Sequence, residues 1–142
     1  MINLPKSIIA FLMVSLLILC ACSSHRRADG WYPVADYPDN SIVGKPLATV
    51  KDFGRVVLVR DTFIIESDTI CQLLIQGRVK PEKHRQWTDG TERLIGKRLG
   101  FIYNDSVITA PQINARIESG SFQIICPDTV FIRNIYNSII RK

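Results

Sequence analysis

Residues that carry reaction chemistry are scarce in this chain. It has two histidines, four cysteines and two tryptophans in 142 residues. His25 lies in a polar stretch and His84 in a basic one, and neither has a nucleophile or carboxylate at the spacing of an acid–base or nucleophilic set. His84 therefore reads as a solvated surface residue, and the chain is not expected to be an enzyme. Cys71 and Cys126 lack the paired CxxC or HxxxH spacing of a zinc site, so no metal and no cofactor are expected. A phosphate-binding loop is missing too: Gly90, Gly96, Gly100 and Gly120 read as caps and turns. The net charge is only +5. Its excess sits in Arg78, Lys80, Lys83, Arg85, Arg93, Lys97 and Arg98, set against Glu82, Asp89 and Glu92. That mixture reads as a solvated helix face, or as a surface for acidic client chains or a membrane. No recognition motif accompanies it, so no nucleic-acid partner is expected.

The chain has one long hydrophobic run, Ile8 to Leu19, behind a single basic residue, Lys6. As a helix, Ile8 to Cys22 would reach about 22 Å, short of the roughly 30 Å of a hydrocarbon core. A cleaved signal fits better, with a plain secretory signal or an uncleaved anchor as the alternatives. The sequence Leu19-Cys20-Ala21-Cys22 places a small residue before a cysteine, the pattern that lipoprotein signal peptidase requires. Residues 1–21 are thus expected to be a lipoprotein signal peptide and Cys22 the lipidated residue, holding the protein to a membrane without crossing it. Residues 22–36 read as a polar tether. Ser23 after Cys22 is expected to sort the protein to the outer rather than the inner membrane, facing the periplasm. Losing Lys6 with the signal lowers the net charge from +5 to +4.

Residues 37–142 are expected to form one domain, long enough for one core and too short for two. Val56 to Val59, Phe63 to Ile65 and Ile70 to Ile75 read as strands separated at Arg60-Asp61 and Ser67-Asp68. Pro81 opens a helical region through Arg98, interrupted or re-capped at Thr88-Asp89-Gly90. Phe101 to Tyr103, the turn Asn104-Asp105 and Val107 to Thr109 form a hairpin. Pro111 suits the first position of a short helix carrying Ile113 and Ile117 on one face and ending at Gly120. Phe122, Ile124 and Cys126 alternate as the buried face of a strand. Asp128 caps a last helix, whose apolar stripe runs through Phe131, Ile132, Ile135, Tyr136, Ile139 and Ile140. The order gives an α+β fold, an antiparallel β-sheet with helices packed on one face. Trp31 and Trp87 are candidates for a contact surface, with Trp87 the better core anchor. The triplets beginning at Asp68, Asp105 and Asp128 match a short Asp-Ser/Thr-aliphatic glycosylation acceptor, yet each also suits a turn or cap, the preferred reading.

Thr91, Gly96, Lys97, the run Leu99 to Tyr103, Asn104, Val107, Ala110, Pro111, Ile117 and Gly120 follow a pattern. The stretch resembles the head subdomain of the first periplasmic domain (P1) of SecD and SecDF, membrane components of bacterial protein export. The usual Asp-Gly of the hairpin turn is Asn104-Asp105 here. The resemblance implies a head-like fold, with those positions as structural or contact candidates, and partners among exported polypeptides or Sec components. A dedicated envelope partner unrelated to export is the alternative. For Cys71 and Cys126 two readings stand, free thiols or a disulfide across about 55 residues worth about 4 kcal/mol. The oligomeric state is not legible.

Overall fold

The computed structural model describes residues 25–142. The signal peptide, Cys22 and Ser23 lie outside the described residues. In the remainder, seven strands and two helices build an α+β fold with two antiparallel sheets rather than the single expected sheet. The first sheet has the order β2-β1-β5-β6 and comprises β1 (Gly30–Val34), β2 (Ala48–Thr49), β5 (Arg98–Tyr103) and β6 (Ser106–Thr109). The second has the order β3-β4-β7 and comprises β3 (Phe53–Ile65), β4 (Asp68–Val79) and β7 (Ser121–Ile125). Helix α1 spans His84–Arg93, and helix α2, Thr129–Ile140, packs on β3 and β4.

The expected tether is wrong for its second half. Gly-Trp-Tyr-Pro-Val of β1 pairs with β5 over its full length, Trp31 opposite Phe101 and Val34 opposite Arg98. Trp31 enters the main core, whereas Tyr32 and Val34 form a second cluster with Ile102 on the other face of the sheet. Both faces are covered, so β1 shows no apolar–polar alternation. Pro33 normally argues against an inner strand. Here β2 pairs only with Gly30 and Trp31, so Pro33 lies beyond that ladder.

The main core is aromatic at its centre. Trp31 lies 5.4 Å from Phe101, 5.8 Å from Phe122 and 6.2 Å from Trp87, ring centre to ring centre, and Phe53 lies 4.4 Å from Phe122. Such pairs add about 0.5–1.5 kcal/mol each beyond their burial. Ile75, Ile124, Ile132 and Ile135 complete the core without exposure. The expected buried face Phe122, Ile124, Cys126 is present, as is the cap: Asp128 Oδ1 accepts from Val130 N at 3.0 Å and Phe131 N at 2.9 Å. The stripe on α2 is narrower than expected, because Ile140 is exposed.

Three further differences concern where elements begin and end. Arg60 and Asp61 do not break β3, since they pair with Leu73 and Gln72 in the ladder. Helix α1 is uninterrupted from His84 to Arg93, so neither Thr88 nor Asp89 caps it. Gly96, at φ +83°, turns the chain out of the helix, and Arg98 already belongs to β5. The hairpin turn is as expected, and its type is now fixed: Asn104 (φ 49°) and Asp105 (φ 62°) are both left-handed, as a type I′ turn requires.

Candidate binding cleft

The short helix expected from Pro111 does not form. Instead the segment runs extended because its neighbours capture its backbone. Leu99 N donates to Pro111 O at 3.0 Å, Gly96 N to Ile113 O at 2.8 Å, and Ile113 N to Lys97 O at 2.8 Å. Helix α1 then takes both backbone groups of Ile117: Thr88 Oγ1 donates to its carbonyl at 3.1 Å, and its N–H donates to Thr91 Oγ1 at 3.0 Å. Thr91 in turn donates to Thr88 O at 3.0 Å. Threonines three apart share a helix face, so one turn of α1 grips one residue of the loop. Outside, Arg116 reaches Glu92 at 3.2 Å and Glu118 at 3.3 Å.

Gly120 closes the segment at φ +69°, and a Cβ there would stand 2.8 Å from the His84 ring. His84 is held by Nε2 at 3.0 Å from Val79 O, so it is a packed structural residue rather than a free surface one.

Held this way, the segment forms one wall of a cleft of about 640 Å³. The cleft is lined by Pro111, Ile113 and Ile117, by Val57 and Ile125 of the β3-β4-β7 sheet, and by buried Trp31, Trp87, Leu99 and Phe122. Exposed Arg55, Gln76, Arg78 and Gln123 line the rim. Among the described residues neither arginine is in an ion pair. The buried indole N–H groups of Trp31 and Trp87 lack an acceptor. A cleft with apolar walls and amide and guanidinium rims suits an elongated apolar ligand that carries carbonyl oxygens.

The structure separates the expected site residues into groups. Pro111 and Ile117 line the cleft. Thr91 and Gly96 position its wall through the bonds above, and Gly120 ends it in a left-handed conformation. Lys97 contributes its carbonyl, and its side chain is exposed. Asn104 and Val107 sit on the exposed hairpin and Ala110 packs beside Tyr32 and Val34, so these are not brought to the cleft. Cys71 and Cys126 are not bridged: both are free, Cys71 exposed and Cys126 buried. The β4–β7 ladder sets Ile125 against Leu74, which leaves Cys71 beyond the paired region. Arg55, Val57, Gln76 and Gln123 were not legible as site residues, and Arg78 was legible only as one of a run of basic residues; the signal was the outward-facing apolar pair Val57 and Ile125 beside amides. Among the described residues no helix is long and apolar enough to cross a membrane, and no three His, Cys, Asp or Glu cluster as metal ligands.

Comparison with known proteins adds a family resemblance. The model of the SecDF P1 head subdomain matches residues 71–130. A solved structure described as a membrane component SecDF that enhances protein export aligns with 98% of this chain and 70% of its own, with a TM-score of 0.59 and 17% identity, a likeness of fold. A crystal structure of SecDF in a super-membrane-facing form is 25% identical over 62% of this chain, with a TM-score of 0.46, and the matched part is 11% of that protein's length. No curated protein matches the chain. The matched segment, from β4 through the cleft wall to the start of α2, is similar to the SecDF P1 head subdomain.

Proposed function

We propose that this protein is a lipid-anchored, periplasm-facing component of the bacterial envelope, sorted to the outer membrane. Its head domain binds extended, apolar stretches of polypeptide, and it works in association with protein export. The observation that carries the binding is the cleft: apolar walls hold side chains, while the rim amides and guanidinium groups answer backbone carbonyls. Support for the export association comes from the SecDF P1 head match and from the shared fold of a protein described as enhancing export. The address rests on Lys6, the run Ile8 to Leu19 and Cys22. Binding needs no catalytic group, in keeping with the sparse acid–base chemistry of the sequence.

Anisotropy of a fluorescein-labelled peptide with alternating leucine and threonine tests this reading. Binding is expected to saturate, and Ile117→Asp, which puts a charge on the wall, is expected to weaken it at least about tenfold, or about 1.4 kcal/mol. No saturable binding by the unsubstituted protein would overturn the proposal.

A further inference from the structure

Strand β3 is an open edge along its whole length. Among the described residues it pairs only with β4, and its 13 residues leave one row of backbone groups outside any ladder. Edges of that length are templates for another strand, and β3, apart from a bulge between Phe53 and Val56, is regular from Val56 to Ile65. In β3 the middle, Val56-Val57-Leu58-Val59, is apolar and half-buried, and the charges nearby are Arg55, Arg60 and Asp61. Arg55 and Asp61 stand three residues to either side of Leu58. Alternation places Val57, Val59 and Asp61 on one face and Val56, Leu58 and Arg60 on the other, and Arg55, at the bulge between Phe53 and Val56, lines the same cleft as Val57. Neither Arg55 nor Asp61 is in an ion pair among the described residues.

We propose that two copies of this chain pair through β3, antiparallel about a two-fold axis at Leu58, making one six-stranded sheet. Opposite residues in an antiparallel pair share a face, so a two-fold axis normal to the sheet must set one residue against its own copy. With Leu58 at the centre, Val57 meets Val59 twice and Arg55 meets Asp61 twice. Cross-strand pairs of opposite charge are favourable and like charges are not. Centring on Arg60 or Asp61 sets like charges face to face. Centring on Val57 or Val59 sets both Arg55 and Asp61 against apolar residues. The charge pattern of the edge thus selects a second copy in this register. The proposal shares Arg55 and Val57 with the cleft but does not rest on the peptide-binding role.

The test uses the full lipidated chain in membranes, in a Cys71→Ser, Cys126→Ser background, with a short bismaleimide. Leu58→Cys is expected to cross-link to its own copy. Thr62→Cys is not, because in this register the two copies of position 62 lie eight residues apart, about 27 Å. Arg55→Asp or Asp61→Arg alone is expected to lower the Leu58→Cys cross-link at least fivefold, and the two together to restore it. Light scattering of the detergent-extracted unsubstituted chain, whose folding no substitution compromises, is expected to give the mass of two copies. A single-copy mass, cross-linking at position 62 instead of 58, or failure of the double reversal would each overturn the proposal.

Discussion

Thr91→Val tests whether helix α1 holds the cleft wall by polar bonds. Thr91 is fully buried, at 0% exposure, and accepts the Ile117 N–H at 3.0 Å while donating to Thr88 O at 3.0 Å. Valine keeps the shape, so the packing around the Trp87 side of the core is nearly unchanged. What is lost is the acceptor for a part-buried N–H, a cost of about 1–3 kcal/mol. The Thr88 carbonyl lies inside α1 and keeps its helical surroundings, so its share is a few tenths of a kcal/mol at most. A total of about 2 kcal/mol lowers Tm by about 8 °C in a domain near this size. Thermal and urea unfolding followed by circular dichroism measure it, and hydrogen exchange at the Ile117 amide should accelerate. Thr91→Ser retains both bonds and should cost less than about 1 kcal/mol. The reasoning is refuted if Thr91→Val unfolds like the unsubstituted protein, or if serine is as damaging as valine.

Other consequences follow from single residues. Gly120→Ala should destabilise more than Gly96→Ala: both pay left-handed strain of about 1–2 kcal/mol, but only at Gly120 does the new Cβ meet the His84 ring, while nothing lies within 4 Å of the one at Gly96. Equal losses in urea unfolding would contradict the packing of His84 on Gly120. Asp128→Ala should cost about 1 kcal/mol, read as a lowered denaturation midpoint, because two N–H groups of α2 lose their acceptor. Burial raises the Tyr32 hydroxyl above its ordinary 10.0, with the Arg27 charge opposing and Asp29 and Asp105 adding to the rise. The folded state therefore binds this proton more tightly than the unfolded state. Its stabilisation is complete below pH 10.0 and is lost as pH rises through the folded value. Unfolding titrations from pH 9 to 11 should show that decline blunted in Tyr32→Phe.

The recognised stretch was legible where local chemistry and fold agree. Asn104-Asp105 announced a turn, Phe122 and Ile124 a strand with one dry face, and Asp128 a cap, each through forces acting within a few residues. The segment 110–117 misled because Pro111 and the Ile113–Ile117 spacing also suit a helix. Only the distant Thr88, Thr91 and Leu99 bonds favour the extended form, and those depend on how α1 and β5 pack. Strand β1 was hidden for a related reason: its partner β5 is about 70 residues away, and a sheet covered on both faces leaves no alternation to read. The cleft was half visible. Pro111 and Ile117 stood out through the family pattern, whereas Val57, Gln76, Gln123 and Ile125 become site residues only once β3, β4 and β7 lie side by side.

The most direct test of the central claim is photo-cross-linking in cells from positions 117 and 123 in the cleft, with position 104 on the hairpin turn as reference. Mass spectrometry then identifies the attached proteins. Many exported polypeptides, or Sec components, captured from the cleft positions and not from 104 is the predicted result. A single unrelated envelope protein captured from the cleft would contradict the export role, and equal capture from 104 would contradict the cleft as the binding site.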